Sequence, residues 1–404
     1  MIYTQSVFDT WPIESESVQS LITSPPYYAL RKYAIPDVII GGGKYLFCPN
    51  CEISVLWNSN IVDSKCSFCN KFKLITVNCK HEFGKETIER KRGNVSGITA
   101  QCGVQKAGTC GTHVNHGSFC INCNAWKGQY GLEPTPQMYV DHTRLWAKEV
   151  WRVLRDDGVF FLNIADSYAG SGGAGGDYNK AGLREGQPKY KQSKINYPSK
   201  CQLLIPHRVA ISLIDDGWIL RNTVIWTKPN AMPESVTDRF SKKYEYIFMF
   251  TKNEKYYFDL DSIRESQSES SKKRAEFAIR TNETYENRKD VKFGHEYINS
   301  SPTRLGRKNM HSNILSQGKN PGDVWVIPTQ PSPEKHFAMW PERLVERMVK
   351  CGTKAGDTIL DPFAGSGTTL KVAKQMNRKA LGIDLGYQEI QERRLSKIQK
   401  MLFV

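Results

Sequence analysis

The spacing of apolar residues predicts alternating strands and helices along most of the chain. Val18–Thr23 has the length and composition of a buried strand. Thr135 followed by Pro136 is typical of a helix start, because Thr caps free backbone N–H groups and Pro fits the first helical position. Apolar residues then recur at helical spacing as far as Arg155, and we expect Gly158 to end this helix.

The same alternation continues towards the carboxyl terminus. The predicted elements are strands at 159–164, 218–226, 244–250, 358–361 and 380–384, and helices at 206–215, from 341 and at 368–376. The last two strands and the helix between them form a β–α–β unit. Strands that alternate with helices in this way favour an α/β fold with a mostly parallel sheet.

The composition adds a charge imbalance to this picture. The 404 residues include 56 Lys or Arg and 41 Asp or Glu, which gives a net charge of +15. Basic residues are concentrated at 65–92 and 184–208. Clustered positive charge is typical of proteins that bind a polyanion, so nucleic acid is the favoured partner. The sequence has no apolar run long enough for a membrane span and no signal peptide pattern, and we expect a cytoplasmic protein.

Residues 41–128 differ in composition from the rest of the chain and are interpreted as an inserted module. Nine of the eleven cysteines lie there, and apolar periodicity is weak. Paired cysteines without an export signal indicate metal ligation rather than disulfide bonds. The spacing of two Cys-x-x-Cys pairs predicts a structural zinc ribbon with four thiolate ligands, namely Cys48, Cys51, Cys66 and Cys69.

A second zinc site is predicted from the remaining Cys and His residues of this module. The favoured ligands are Cys79, His81, Cys120 and Cys123. Four other residues are rival ligands for the second site: Cys102, Cys110, His113 and His116. Because four protein ligands leave no open coordination position, we expect structural rather than catalytic zinc, one ion or two.

Two motifs follow predicted strands and carry candidate chemistry. The segment Asp361–Thr369, which we call the glycine turn, reads DPFAGSGTT, and its glycines would let a ligand approach the backbone closely. Asp384 ends the next strand, where a carboxylate can accept hydrogen bonds from both hydroxyls of a ribose. The segment lacks Gly-Lys-Ser/Thr, which excludes the phosphate loop of an NTPase, and its spacing does not match the dinucleotide fingerprint.

The second motif is Thr23–Tyr27, which we call the proline turn and which reads TSPPY. Two consecutive prolines fix the backbone and remove two N–H donors, so the turn exposes acceptors. The hydroxyl of Ser24 and the carbonyl of Pro25 could receive hydrogen bonds from one amino group. Tyr27 would supply a flat face for stacking.

Together these motifs resemble those of the permuted (β-class) amino DNA methyltransferases, which use S-adenosylmethionine. In that family the catalytic half precedes the cofactor half, as the proline turn precedes the glycine turn here. Further matching segments are 131–134, 152–154, 163–168, 226–230 and 336–338, so the resemblance covers roughly 255 of the 404 residues. It implies a doubly wound, Rossmann-like fold, circularly permuted, with the zinc-ribbon-like module as an insert.

The resemblance also implies a division of the chain and a set of site residues. Residues 1–40 and 129–261 would form the catalytic half, 41–128 the zinc-binding insert, 262–320 a DNA target-recognition segment, and 321–404 the cofactor half. The target base would be held by Ser24, Pro25, Pro26 and Tyr27. The residues expected to bind the cofactor are Phe337, Asp361, Phe363, Gly365, Ser366, Gly367, Thr368 and Asp384. The basic loop at 170–200 would add DNA contacts.

The residue at position 24 bears on the target base. Adenine-methylating members of the family mostly carry Asp or Asn at this position. Ser, which this chain has as Ser24, is commoner among enzymes that methylate N4 of cytosine. Cytosine in double-stranded DNA is therefore the favoured substrate, with N6 of adenine as the alternative and a cognate restriction endonuclease as a possible partner. Other hypotheses are a zinc-ribbon DNA-binding protein with a vestigial methyltransferase fold, and methylation of RNA or protein.

Overall fold

The structure is a computed structural model of the chain. The residues it describes are 1–30, 33, 35–42, 44–48, 53–56, 75–83, 118–120, 123–170, 197–273, 276–277, 318–330 and 340–401. At 44–48, 53–56, 75–77 and 397–401 the description covers the backbone only. Phe337, three of the predicted zinc-ribbon cysteines and most of 262–320 lie outside the described residues.

The described strands and helices alternate along the chain. The strands are β1 (Ile2–Thr4), β2 (Val18–Thr23), β3 (Val38–Ile40), β4 (Lys44–Cys48), β5 (Ile53–Leu56), β6 (Ile75–Asn78), β7 (Trp126–Gly128), β8 (Leu154–Ile164), β9 (Ile219–Thr227), β10 (Tyr244–Thr251), β11 (Val324–Val326), β12 (Thr358–Asp361) and β13 (Lys379–Asp384). The helices are α1 (Pro136–Val153), α2 (Ile205–Asp215), α3 (Glu342–Gly352), α4 (Thr368–Gln375) and α5 (Gln388–Met401).

Eight of these strands form one sheet in the order β1-β13-β12-β2-β8-β10-β9-β11. Only β10 runs antiparallel to its neighbours, β8 and β9, so the predicted mostly parallel sheet is confirmed. The carboxyl-terminal strand β12 lies beside the amino-terminal strand β2, with Leu360 paired to Leu21. Since β2 and β12 are parallel, their carboxyl ends, and the two turns that follow them, meet at the same edge of the sheet.

Both faces of the sheet are covered, as expected for parallel strands. Consecutive residues of one strand enter opposite cores: Leu21 packs under α1 and α2, whereas Ile22 packs under α3 and α4. Phe160 and Phe161 of β8 divide in the same way. This two-sided burial explains why the strands read as continuous apolar runs rather than as alternating ones.

The helix predicted from Pro136 begins where expected but ends earlier. The side chain of Thr135 accepts a hydrogen bond from the backbone N–H of Met138, as a helix cap does. The helix ends at Val153, and β8 begins at the next residue, so the prediction that it reaches Arg155 was wrong. Leu154 is extended because it pairs with Val18 at the start of the parallel β2–β8 ladder, and a tertiary pairing of this kind overrides helical spacing.

The inserted module begins and ends in a short ladder. Strands β3 and β7 are antiparallel, with Ile40 opposite Trp126, and this pairing brings the two ends of the insert together. Within the module, β5, β4 and β6 form a separate three-stranded antiparallel sheet. Strand β11, near the start of the range 321–404, pairs with β9 at the far edge of the main sheet. Among the described residues, no helix is both long and apolar enough to cross a lipid bilayer.

Candidate active site

The two turns border one cavity at the carboxyl edge of the sheet, with a volume of about 330 Å³. Its lining includes Ser24, Pro25, Pro26 and Tyr27 from the proline turn, and Asp361, Phe363, Gly365, Ser366 and Thr368 from the glycine turn, together with Asp384. The structure therefore brings the predicted residues of both halves to a single site. Gly367 lies at the start of α4 and Phe337 lies outside the described residues.

Asp361 joins the two turns. One carboxylate oxygen accepts a hydrogen bond from the Thr23 hydroxyl at 2.7 Å and another from the backbone N–H of Phe363 at 3.1 Å. The second oxygen accepts from the Thr369 hydroxyl at 2.7 Å. Burial raises the pKa of Asp361 to about 6. Although the cavity touches this residue, its carboxylate oxygens hold the proline turn against the glycine turn.

Asp384 shapes the glycine turn from the neighbouring strand. Its carboxylate accepts hydrogen bonds from the backbone N–H groups of Gly365, at 2.6 Å, and Gly386, at 2.9 Å. An ionised carboxylate offers about four acceptor positions, and the backbone N–H group of Leu385 also interacts with it, so part of its acceptor capacity remains for a ligand in the cavity. Burial raises the pKa of Asp384 to about 6, which brings its protonation close to neutral pH.

Helix α5 supports the glycine turn from behind. The Gln391 side chain, fully buried, donates to the carbonyl of Gly365 at 2.7 Å. A Cβ atom at Gly367, which has a φ of +76°, would lie 3.3 Å from Gln391. Arg394 donates to the carbonyl and the hydroxyl of Ser366 at 2.8 and 2.9 Å, and to the Thr368 hydroxyl at 3.2 Å. These two hydroxyls, predicted to bind the cofactor, thus contact Arg394.

Aromatic rings form one wall of the cavity. Phe363 stacks on Tyr130 with ring centroids 5.5 Å apart and meets the edge of Trp146 at 5.3 Å. Both partners are buried. A ring fixed in this way keeps its free surface on the cavity side, where a flat ligand can pack against it.

A polar network lies beneath the proline turn. The Tyr27 hydroxyl donates to a Glu245 carboxylate oxygen at 2.6 Å and lies 3.1 Å from the Ser24 hydroxyl. The Asn163 side-chain nitrogen lies within hydrogen-bond distance of the Tyr27 oxygen at 2.6 Å, Glu245 at 2.8 Å and Ser24 at 3.2 Å. The Lys228 ammonium pairs with the second Glu245 oxygen. Side chains from four separate segments thus converge on one site.

The charges of this network are set by burial and by Lys228. Burial by itself would raise the pKa of Glu245, but the Lys228 charge and the hydrogen bonds from Lys228, Tyr27 and Asn163 lower it below the ordinary value. Burial, followed by the charge of Glu245, raises the pKa of Tyr27 well above its ordinary value. The Tyr27 hydroxyl is therefore protonated and Glu245 is ionised at neutral pH.

Sequence reasoning assigned no role to Glu245, Asn163 or Lys228. A signal for Glu245 was present in β10. Glu245 shares a strand face with Ile247 and Met249, which are both buried, and a charged residue on a buried face is uncommon unless it is paired. Lys228 and Asn163 lie in segments that the resemblance already covered.

The predicted second zinc ligands come together in the inserted module. We call Cys79, His81, Cys120 and Cys123 the cysteine–histidine quartet, and their ligand atoms all lie within 4.8 Å of one another. The Cys79 and Cys120 sulfurs are 3.5 Å apart, and the Cys123 sulfur is 3.2 Å from His81 Nδ1. Four thiolate and imidazole ligands at such separations fit tetrahedral zinc.

The other predicted ligands lie at positions where the structure describes no side chain. Cys48 ends β4, where the structure describes the backbone only. Cys51, Cys66 and Cys69, and the four rival ligands, lie outside the described residues. The zinc ribbon proposed for the first four cysteines therefore stays a prediction.

This combination of fold and site defines a class. A doubly wound α/β sheet carries, on adjacent parallel strands, a turn that exposes acceptors and a glycine-rich turn with a facing carboxylate. Residues 18–394 match a family described as DNA methylase, N6_N4_Mtase. The chain belongs to this family, and it is a DNA methyltransferase of the N4/N6 group, which uses S-adenosylmethionine. The resemblance and the fold class predicted from the sequence are thus confirmed.

Two related sequences agree with this assignment. The Type II methyltransferase M.SmaI of Serratia marcescens is 32% identical over 258 residues, which are 64% of this chain and 73% of M.SmaI. M.XycI of Xanthomonas campestris pv. cyanopsidis is 34% identical over 261 residues, or 64% of this chain and 70% of that protein. The solved structure of the cytosine-N4-specific PvuII DNA methyltransferase aligns with a TM-score of 0.49 at 14% identity, covering 99% of this chain and 90% of that one.

Proposed function

We propose that the enzyme transfers a methyl group from S-adenosylmethionine to N4 of a cytosine in a specific sequence of duplex DNA. The observation that carries this proposal is the hydrogen bond between Thr23 and Asp361, at 2.7 Å. It ties the amine-accepting turn to the glycine turn, so that base and cofactor would share one cavity. The cavity volume of about 330 Å³ supports a site for small, flat ligands.

In this proposal, the glycine turn and Asp384 hold the cofactor. The acceptor capacity of the Asp384 carboxylate that the backbone leaves open would receive hydrogen bonds from the ribose hydroxyls. Phe363, fixed by Tyr130 and Trp146, would pack against the adenine ring. Phe337 would pack near the same ring, as the family resemblance implies. Ser366, Gly367 and Thr368 would keep the turn open for the cofactor through their contacts with α5.

The proline turn would hold the target base. The lone pair of an exocyclic amine is delocalised into the ring, which makes the nitrogen a weak nucleophile. Hydrogen bonds from the amine to Ser24 Oγ and to the Pro25 carbonyl would favour a pyramidal nitrogen that can attack the sulfonium methyl. Pro26 fixes the turn, because its carbonyl accepts a hydrogen bond from Tyr139 at 2.9 Å. Direct attack needs no covalent cysteine intermediate.

Ser24 supports cytosine over adenine as the target. Members of the family that methylate adenine mostly carry Asp or Asn at this position, and N6 of adenine is the alternative product. The names of the relatives, Type II methyltransferases, support a role in restriction and modification alongside a cognate endonuclease. We propose that the segments 170–200 and 262–320 add contacts to duplex DNA.

Transfer of a radiolabelled methyl group tests the proposed substrate class. Incubation with labelled S-adenosylmethionine should label duplex DNA and leave RNA and added protein unlabelled. The Asp384→Ala variant serves as the control for cofactor-dependent transfer. A labelled RNA or protein in place of DNA would contradict the proposal. Binding of duplex DNA with no label on any substrate would favour the vestigial, zinc-ribbon alternative.

We also propose that the inserted module holds structural zinc. The cysteine–histidine quartet would ligate one ion, and Cys48, Cys51, Cys66 and Cys69 a second. Metal ligation would help to order a module with weak apolar periodicity, because metal binding contributes directly to folding. The pairing of β3 with β7 would hold this module close to the proline turn, where its basic residues can meet DNA.

Metal analysis tests the zinc proposal. The dialysed wild-type protein should contain two zinc ions per chain, and Cys120→Ser should contain one. The loss of a ligand should also lower the midpoint of thermal unfolding. Cys201→Ser is a matched control, since Cys201 lies outside the quartet, and it should keep both ions. Equal zinc content in Cys120→Ser and wild type would exclude the quartet as a zinc site.

A further inference from the structure

The polar network under the proline turn has a fixed hydrogen-bond direction. The ionised Glu245 carboxylate only accepts hydrogen bonds, and the Tyr27 hydroxyl has a single proton. At 2.6 Å that proton is donated to Glu245. The Ser24 and Tyr27 hydroxyl oxygens are 3.1 Å apart, and in this contact Ser24 must therefore be the donor and Tyr27 the acceptor. The donor order runs from Ser24 to Tyr27 to Glu245.

Asn163 and Lys228 reinforce this order. The amide nitrogen of Asn163, a donor, lies 2.8 Å from the Glu245 oxygen and 2.6 Å from the Tyr27 oxygen, so Tyr27 accepts from Asn163 and directs its single proton to Glu245. Lys228, also a donor, pairs with the other Glu245 oxygen and lies 4.4 Å from the centre of the Trp226 ring. Both residues keep Glu245 acceptor-only and in place. The two N–H groups of Asn163 are shared among three acceptors, so Ser24 Oγ receives at most one of them. With its own proton directed to Tyr27, Ser24 Oγ therefore keeps at least one acceptor position for the substrate.

Methylation of an exocyclic amine releases a proton, and the donor order from Ser24 to Glu245 gives that proton a route away from the base. When the nitrogen attacks the methyl group, the N–C bond forms, and the sulfur keeps the electron pair of the broken S–C bond. The nitrogen then carries a positive charge and must release a proton. Because loss of that proton restores delocalisation of the nitrogen lone pair into the ring, even a weakly basic carboxylate such as Glu245, whose pKa is lowered by Lys228, can accept it.

We propose that Glu245 is the terminal acceptor of the proton released in methyl transfer, reached through Ser24 and Tyr27. This inference rests on the proposed function. The amine proton passes to Ser24 Oγ, the Ser24 proton passes to the Tyr27 oxygen, and the Tyr27 proton passes to Glu245. Each hydroxyl ends with one proton, Glu245 becomes a neutral acid, and the methylated base is neutral. Glu245 acts through Tyr27, as a positioning residue and proton acceptor rather than by touching the base.

The variant Glu245→Gln should reverse the direction of the hydrogen bonds in the network, because Gln has nearly the same size and shape as Glu. Lys228 can only donate, so it should take the oxygen of the new amide and turn the amide nitrogen towards Tyr27. Tyr27 would then accept from position 245 and donate to Ser24, which blocks the relay. We expect the rate of methyl transfer in a single turnover to fall about 100-fold or more, the usual contribution of general acid–base catalysis. Cofactor and DNA affinities should change by less than about threefold.

Tyr27→Phe interrupts the same relay at its middle and keeps the aromatic ring and the Glu245–Lys228 pair. The single-turnover rates of wild type, both single variants and the double variant form a cycle. If the two residues serve one relay, the double variant should be no more than about threefold slower than the slower single variant. The rates of the variants should also rise from about pH 6 to about pH 9, as solvent base replaces Glu245, whereas the wild-type rate stays level. Tyr246→Phe, on the same strand, is the matched control and should keep the wild-type rate.

The outcomes separate the relay from the proposed function. Failure of the wild-type enzyme to methylate any duplex would refute the proposed function itself. With an active wild type, either of two results would overturn the relay. The first is single-turnover rates of Glu245→Gln and Tyr27→Phe within about fivefold of wild type. The second is a double variant whose loss of rate equals the product of the losses of the two single variants. If Glu245→Gln fails to fold, Tyr27→Phe decides alone by its rate and pH profile.

Discussion

Asp384→Ala should bind S-adenosylmethionine at least about tenfold more weakly than the wild-type enzyme. A hydrogen bond to a charged acceptor contributes about 1.5–3 kcal/mol, and each 1.4 kcal/mol is about tenfold in affinity. Two ribose hydroxyls would lose such an acceptor. Titration calorimetry with the cofactor measures the change, and thermal unfolding checks that the variant is folded. Unchanged cofactor affinity would contradict the assignment of Asp384.

The pH dependence of cofactor binding is an independent control on the same residue. Burial raises the pKa of Asp384 to about 6, so the carboxylate is ionised above that pH and protonated below it. A protonated carboxyl offers fewer acceptors to ribose hydroxyls. Affinity should therefore be highest above about pH 6 and fall as the pH decreases through this value. Asp384→Asn should lose most of this dependence, and an unaltered pH profile in the variant would argue against the assignment.

Tyr27→Ala should slow methylation more than it weakens the binding of duplex DNA. A target base must leave the helix at a cost of a few (about 2–4) kcal/mol, and stacking on an aromatic ring recovers about 1–3 kcal/mol per base. Duplex binding, by contrast, depends mainly on phosphate contacts. We expect the single-turnover rate to fall by more than about 100-fold, because the variant loses about 1–3 kcal/mol of stacking as well as the hydroxyl of the relay.

Comparison with Tyr27→Phe separates the ring from the hydroxyl. The Phe variant keeps the stacking surface and loses only the hydroxyl contacts to Glu245, Ser24 and Asn163. A base-analogue fluorophore at the target position reports unstacking, which should decrease in the Ala variant and persist in the Phe variant. A loss of duplex affinity as large as the loss of rate would contradict a role for Tyr27 in holding the base.

The regular elements around the site were predictable, because apolar spacing and cap residues act locally. Val18–Thr23 is the strand β2 as predicted, and Thr135 caps α1. The end of α1 was not predictable, since Leu154 leaves the helix to pair with Val18 across the sheet. Pairings between distant segments depend on strand order, which local spacing does not contain.

The residues of the site likewise fall into two groups, those that the sequence made recognisable and those that it did not. The two turns were recognisable because Pro and Gly impose backbone geometry wherever they occur. The supporting residues were not, because Glu245, Gln391 and Arg394 reach the turns only after distant elements pack together. Asp361 shows the limit of a motif: the sequence placed it at the end of a strand beside the cavity, but its carboxylate oxygens accept hydrogen bonds from Thr23 and Thr369.

The identity of the methylated base tests the central proposal most directly. Duplex DNA methylated by the wild-type enzyme should be digested to nucleosides and analysed by mass spectrometry against authentic standards. We predict N4-methylcytosine as the product, dependent on S-adenosylmethionine and lost in Asp384→Ala. N6-methyladenine would overturn the choice of base while leaving the amino-methylation mechanism in place. The absence of any methylated nucleoside from a broad set of duplex sequences would contradict the proposed activity.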